Sequence, residues 1–176
     1  MHQQPPATAQ LVLSARMGDE EAFAGLVRAT RGTLYAAALA ITRSEQDAQD
    51  AVQQAVLKAW EKIDTLKEPA YFATWITRIT IRTAINIGRR RKQTMLLMLE
   101  IPTGDPKLDE RMDVRRAINE LDEKTRICTV LYYFEDMSIE QIATASGLRP
   151  GTVKSRLHRA RAKLRTILEG YDHGDD

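Results

Sequence analysis

The stretch Ser138–Leu164, SIEQIATASGLRPGTVKSRLHRARAKL, decides how the rest of the chain is read. Ser138 with Gln141 three positions on has the form of a capping box, in which a hydroxyl and an amide satisfy the orphan backbone groups at a helix start. Ile139, Ile142 and Ala143 supply an apolar face, and Gly147 can take the left-handed conformation that closes a helix. Pro150 then suits the first position of a longer helix, expected from about Gly151 to Leu168. A short helix, a glycine turn and a longer basic helix together form the helix-turn-helix pattern.

The faces of the longer helix follow from its pitch of about 100° per residue. With Lys154 at zero, Val153, Leu157, Ala160 and Leu164 fall near about 260°, 300°, 240° and 280°. Ser155, His158 and Arg159 fall near about 100°, 40° and 140°. One arc is apolar and the opposite arc can hydrogen-bond. The polar arc lies in the amino-terminal half, the part that a recognition helix places in the major groove, where Lys and Arg can donate to guanine acceptors. Arg156, Arg161 and Lys163 flank that arc as expected phosphate contacts, and Thr152 joins it at the helix start. A merely solvated charged helix is the competing reading, and the capping box and glycine turn beside it argue against that.

Working outward, the 176 residues carry 26 Lys plus Arg against 24 Asp plus Glu, so net charge alone names no partner. Distribution does. Half of the bases fall in two acid-free stretches, residues 78–92 and 149–165. A single cysteine, Cys128, excludes a disulfide framework, and with His2, His158 and His173 it forms no pair at metal-ligand spacing. No metal and no cofactor is therefore expected, and Cys128, between Ile127 and Val130, reads as a buried small hydrophobe. The amino terminus has no signal-peptide pattern, and the longest near-apolar run, Leu34–Ile41, is too short to span a bilayer. A cytoplasmic chain without membrane insertion is expected. There is no P-loop, nucleophile elbow or carboxylate cluster, so an enzyme is not expected.

Strand signals are nearly absent, and apolar residues recur at three- and four-residue spacing. The fold class expected is all-α: two small helical domains joined by a flexible linker, the second a helix-turn-helix domain. Residues 1–9 read as a frayed tail. Asp19 reads as the N-cap of a helix carrying Ala22, Phe23, Leu26 and Val27 to a core. Ser44 with Asp47 opens a helix through Trp60, and Pro69 closes a loop from Asp64. Phe72, Trp75, Ile76 and Ile79 then form a core stripe running into Arg89–Lys92. Residues 93–112, with the apolar run Met95–Leu99, Pro102, Gly104 and Pro106, read as a linker. Helical pattern resumes with Val114, Ala117, Ile118 and Leu121, and again with Ile127, Val130, Leu131 and Phe134.

The words GTVKSRLHRARAKL, preceded by LYYFEDMSIEQIA, closely resemble the last domain of the extracytoplasmic-function sigma factors, which direct bacterial RNA polymerase to promoters. DAQDAVQQAVLKAW, residues 47–60, is similar to that family's polymerase-binding helix, and FATWITRITIRTAINIGRRRK, residues 72–92, to its minus-ten segment. The resemblance covers about residues 10–92 and 113–168. It implies that Lys154, Ser155, His158 and Arg159 read the upstream, minus-thirty-five element. It also implies that Asp47, Asp50, Gln53 and Gln54 face core RNA polymerase, whereas residue types alone allow a plain solvated face.

Arg78, Arg82, Arg89, Arg90, Arg91 and Lys92 would supply a cationic groove for minus-ten promoter DNA. The domains so implied are 10–92 (polymerase and minus-ten), 93–112 (linker) and 113–170 (minus-thirty-five). The implied role is promoter-specific initiation of a stress or envelope response regulon, with an anti-sigma factor as a further partner. The alternative is a dimeric helix-turn-helix regulator acting without replacing sigma. Two separate basic elements favour the first reading, because a regulator needs only one.

Overall fold

A computed structural model describes residues 6–98 and 117–171. Every described element is helical: α1 Pro6–Arg16, α2 Glu20–Thr42, α3 Glu45–Glu61, α4 Phe72–Met98, α5 Glu123–Tyr133, α6 Ile139–Ser146 and α7 Pro150–Tyr171. Short 3-10 turns, Ile63–Thr65 and Pro69–Tyr71, occupy the ends of the segment expected as a loop, and the last turn of a further helix ends at residue 119.

Local chemistry sets the helix limits. Asp19 caps α2, its Oδ1 accepting from the Ala22 amide at 3.0 Å. The helix ends where Arg43 enters the left-handed region at φ 55°, its amide still donating to the Leu39 carbonyl. Ser44 then caps α3 by accepting from the Asp47 amide. Asp47 does not complete that box; its carboxylate is paired with Arg91 of α4.

Three expectations need correction. The tail expected over residues 1–9 is helical from Pro6, and Val12 and Ala15 of α1 are buried. Proline at the first turn loses no intrahelical bond, so the helix starts there without penalty. α4 does not stop at the Arg89–Lys92 cluster but continues to Met98, taking in the first six residues of the expected linker. No Pro or Gly lies between Lys92 and Met98 to break it. Phe134, expected to face the core, caps the end of α5 and is exposed. The rest of the linker, residues 99–112, and Val114 lie outside the described residues.

One core joins Val12, Phe23, Leu26, Leu34, Phe72 and Ile76 under α1–α4, with Phe23 edge-on to Trp60 at 5.0 Å. Trp75 and Ile79 pack half-buried against it. A second core crosses between the two halves of the chain: Ala37, Ile41, Ile81 and Ala84 meet Ile127, Leu131, Met137, Ile142, Val153 and Leu157. Polar ties border it. Arg126, buried on α5, donates through Nε to the Ala40 carbonyl and through Nη1 to the Leu121 carbonyl. Arg43 donates to the Asn119 carbonyl at 2.6 Å, and Thr33 to Glu135 at 2.8 Å. Each such bond is worth about 1 kcal/mol net, whereas each buried Leu or Ile is worth about 1.5–3 kcal/mol, so the apolar contacts dominate this seam.

Candidate nucleic-acid interface

The helix-turn-helix forms as its sequence dictates. Ser138 and Gln141 exchange both bonds of the capping box, at 3.2 and 2.8 Å. Gly147 sits at φ 72° and its amide caps back to the Ala143 carbonyl. A Cβ at Gly147 would meet nothing within 4 Å, so the positive φ alone calls for glycine there. Val153, Leu157 and Ala160 anchor α7 in the core, as the angular reading requires.

On the opposite side Lys154, Ser155, His158 and Arg159 are exposed and Thr152 is half-buried. Among the described residues, Ser155 and Arg159 bond only within their own helix, to the carbonyls of Thr152 and Ser155. The reading arc thus presents donors outward without being committed to another helix.

The flanking bases behave differently, and this the angular reading missed. Arg156, expected as a phosphate contact, turns inward: its side chain is 17% exposed and its Nη1 donates to Asp122 Oδ1 and Thr125 Oγ1, both at 2.9 Å. Arg161 donates to the Tyr133 hydroxyl at 3.1 Å, and Lys163 to the Glu120 carbonyl at 2.6 Å. Arg156 and Arg161 lie near about 200° and 340°, at the two edges of the apolar arc, so each can reach the element beneath α7. That edge position was the available signal.

Asp122 is also the N-cap of α5. Desolvation pushes its carboxyl up, but hydrogen bonds from the Thr125 side chain and amide, with the Arg156 cation, outweigh this and hold it below its ordinary value. Burial pushes the Cys128 thiol up to about 11, so it stays protonated and inert near neutrality.

In the amino-terminal half, Arg78, Arg82 and Arg89 fall within about 40° of one another on α4, turned away from its buried Ile76, Thr80 and Ala84. All three are exposed, as is Arg90. Arg91 is exposed but ion-paired with Asp47, so one expected DNA contact and one expected polymerase contact hold each other. The side chain of Lys92 lies outside the described residues. On α3, Asp50, Gln53 and Gln54 are exposed and share their face with Leu57, 59% exposed.

Comparison with known proteins bears on both surfaces. Residues 26–94 match the family described as sigma-70 region 2, and residues 111–164 that described as sigma-70, region 4. The RNA polymerase sigma factor SigV of Bacillus subtilis is 30% identical over 142 residues, covering 78% of this chain and 86% of that protein. The ECF RNA polymerase sigma factor SigM of Mycobacterium tuberculosis is 32% identical over 169 residues, covering 94% and 86%. Among solved structures, CnrH in complex with the cytosolic domain of CnrY superposes with TM-score 0.73 at 28% identity, covering 93% of this chain and 98% of that one. The sigma factor RpoE in complex with the anti-sigma factor NepR from Bartonella quintana gives 0.72 at 25% identity, covering 84% and 96%.

Proposed function

The chain belongs to the extracytoplasmic-function sigma factors of the sigma-70 family, and from that membership we propose how its surfaces divide the work of promoter-directed initiation. Its function is to bind core RNA polymerase and direct it to specific promoters; as in the family, the chain itself is not the catalyst. Residues 10–92 hold the polymerase and the minus-ten element, 93–112 link, and 113–170 hold the minus-thirty-five element.

Asp50, Gln53 and Gln54, with Leu57 among them, form the polymerase face, and Asp47 joins it on release from Arg91. Arg78, Arg82 and Arg89, with Arg90, Arg91 and Lys92, track the minus-ten strand. Thr152, Lys154, Ser155, His158 and Arg159 read upstream bases, and Arg161 adds phosphate contact at the rim. The protein acts in the cytoplasm, where polymerase is, on a stress or envelope regulon. An anti-sigma factor restrains it; the similar sigma factor RpoE was solved in complex with the anti-sigma factor NepR.

The observation that carries this reading is the pair of exposed basic surfaces on separate helices, α4 and α7, where a dimeric regulator needs one. Run-off transcription with purified core polymerase tests it. Promoter-dependent transcripts only when the protein is added are expected. Tight palindromic binding by the protein alone, with no transcript from any genomic target, would instead support the regulator.

A further inference from the structure

Arg156 sits inside the reading segment but does not face outward. Its Nη1 bridges Asp122 and Thr125, and its Nε is buried without an acceptor among the described residues. Turning the side chain out toward a phosphate would give up both bonds and leave the Asp122 carboxylate to its Thr125 donors alone. On the other edge of the apolar arc Arg161 reaches Tyr133, at the carboxyl end of α5, while Asp122 caps its amino end. The Arg161 bond is exposed on both sides, so that side chain can leave it for a phosphate, whereas Arg156 is enclosed with two acceptors. Between these edges the buried arc holds Val153, Leu157 and Ala160, whose apolar packing anchors the helix but supplies no directional bond to fix its rotation.

We propose that Arg156 is a positioning residue for promoter discrimination: through Asp122 it fixes the rotation of α7 and so the aim of Lys154, Ser155, His158 and Arg159. Side-chain tips lie about 6 Å from a helix axis, so a roll of about 10° moves them about 1 Å. That displacement exceeds the width of the hydrogen-bond window, about 0.5 Å. Base-edge donors, which must meet fixed acceptors, lose their partners; long side chains that touch phosphates adjust. Loss of the Arg156 tie therefore erodes discrimination between bases rather than general attraction to DNA.

This rests on the assignment of α7 as the upstream reader, and the experiment separates the two. Holoenzyme binding is measured on a panel of single-base variants of the upstream element, across a salt series, for the wild type, Arg156→Gln, Asp122→Asn and the double variant. Asparagine is an equally good N-cap, so Asp122→Asn removes the partner charge while keeping the start of α5. Discrimination is expected to fall about fivefold or more in both single variants, with the salt slope unchanged and the double variant no worse than the weaker single. A salt slope lowered by about one unit with a uniform loss in Arg156→Gln, and a silent Asp122→Asn, would make Arg156 a phosphate contact and overturn the proposal. Unchanged discrimination in both would overturn it equally. A wild-type holoenzyme indifferent to the whole panel would refute the reader assignment itself.

Discussion

Locking the two halves together should abolish productive promoter engagement, and the geometry gives the size of the effect. The two promoter elements are named for positions ten and thirty-five before the start, about 25 base pairs apart, or about 85 Å along B-DNA at about 3.4 Å per pair. A compact body of 176 residues has a radius of gyration of about 16 Å and a diameter near about 40 Å. The seam built from Ile41, Ile81, Ile127, Leu131 and Ile142 holds α4 and α7 within one such body, so one half cannot reach its element while the other is seated. Opening the seam removes the conflict, because the 14 residues of the expected linker beyond Met98, 99–112, can extend about 45 Å, to which each half adds its own width.

Thr33 and Glu135 meet across the seam at 2.8 Å, and neither lies on α4, α7 or α3, the helix of the proposed polymerase face. Thr33→Cys with Glu135→Cys, joined by a short cleavable bis-maleimide, would hold it shut. Cys128, fully buried and protonated, stays unlabelled. Losing simultaneous attachment forfeits an avidity of about 10²–10⁴, so run-off transcription should fall at least about a hundredfold and return on cleavage. Binding to core polymerase should persist through Asp50, Gln53 and Gln54. Undiminished transcription by the cross-linked protein would refute the reasoning.

Other outcomes follow from single positions. Gly147→Ala should cost about 1 kcal/mol by chemical denaturation, because φ 72° disfavours any Cβ, whereas Gly88→Ala, with nothing within 4 Å of its Cβ inside α4, should gain about 0.5–1 kcal/mol. The Asp122 carboxyl is held below its ordinary value, so its contribution to stability is complete above the ordinary carboxylate range and fades as pH falls through its folded value. Melting from about pH 7 down to about pH 3 should therefore fall more steeply in the wild type than in Asp122→Asn. Arg159→Ala should cost about 1–3 kcal/mol at particular upstream base pairs, while Arg161→Ala should weaken all sequences alike; equal uniform losses across the single-base panel would displace the reading face.

The elements that the sequence made legible are those whose cause is local. A capping box at Ser138 and Gln141, a left-handed Gly147, and an N-cap at Asp19 act within four residues, so residue types and spacing suffice to find them. The apolar arc of α7 is legible for the same reason, since helix pitch alone sorts Val153, Leu157 and Ala160 from Lys154 and Arg159. α1 was less so, because its cause is distant. Residues 6–16 carry a weak helical pattern, and Val12 is buried against elements far along the chain. Tertiary packing overrides weak local preference there.

The seam between the halves was hidden for a related reason. Ile41, Ile127 and Ile142 each stand in an apolar stretch, but an apolar stripe does not say which other stripe covers it. Charge shows the same limit in a form that matters for function. Sequence places Arg78, Arg91, Arg156, Arg159 and Arg161 in two basic clusters and expects all five to meet DNA, yet the structure divides them by what each side chain reaches. Arg78 and Arg159 stand exposed, their positions on the helix opposite its buried face. Arg91 meets Asp47, and Arg156 meets Asp122, because those carboxylates are delivered from other helices. A cluster's count of charges therefore sets the attraction to DNA only after such pairs are set aside. On α7 it is Arg156, at the border of the buried arc and within reach of Asp122, that changes from an expected DNA contact into a brace.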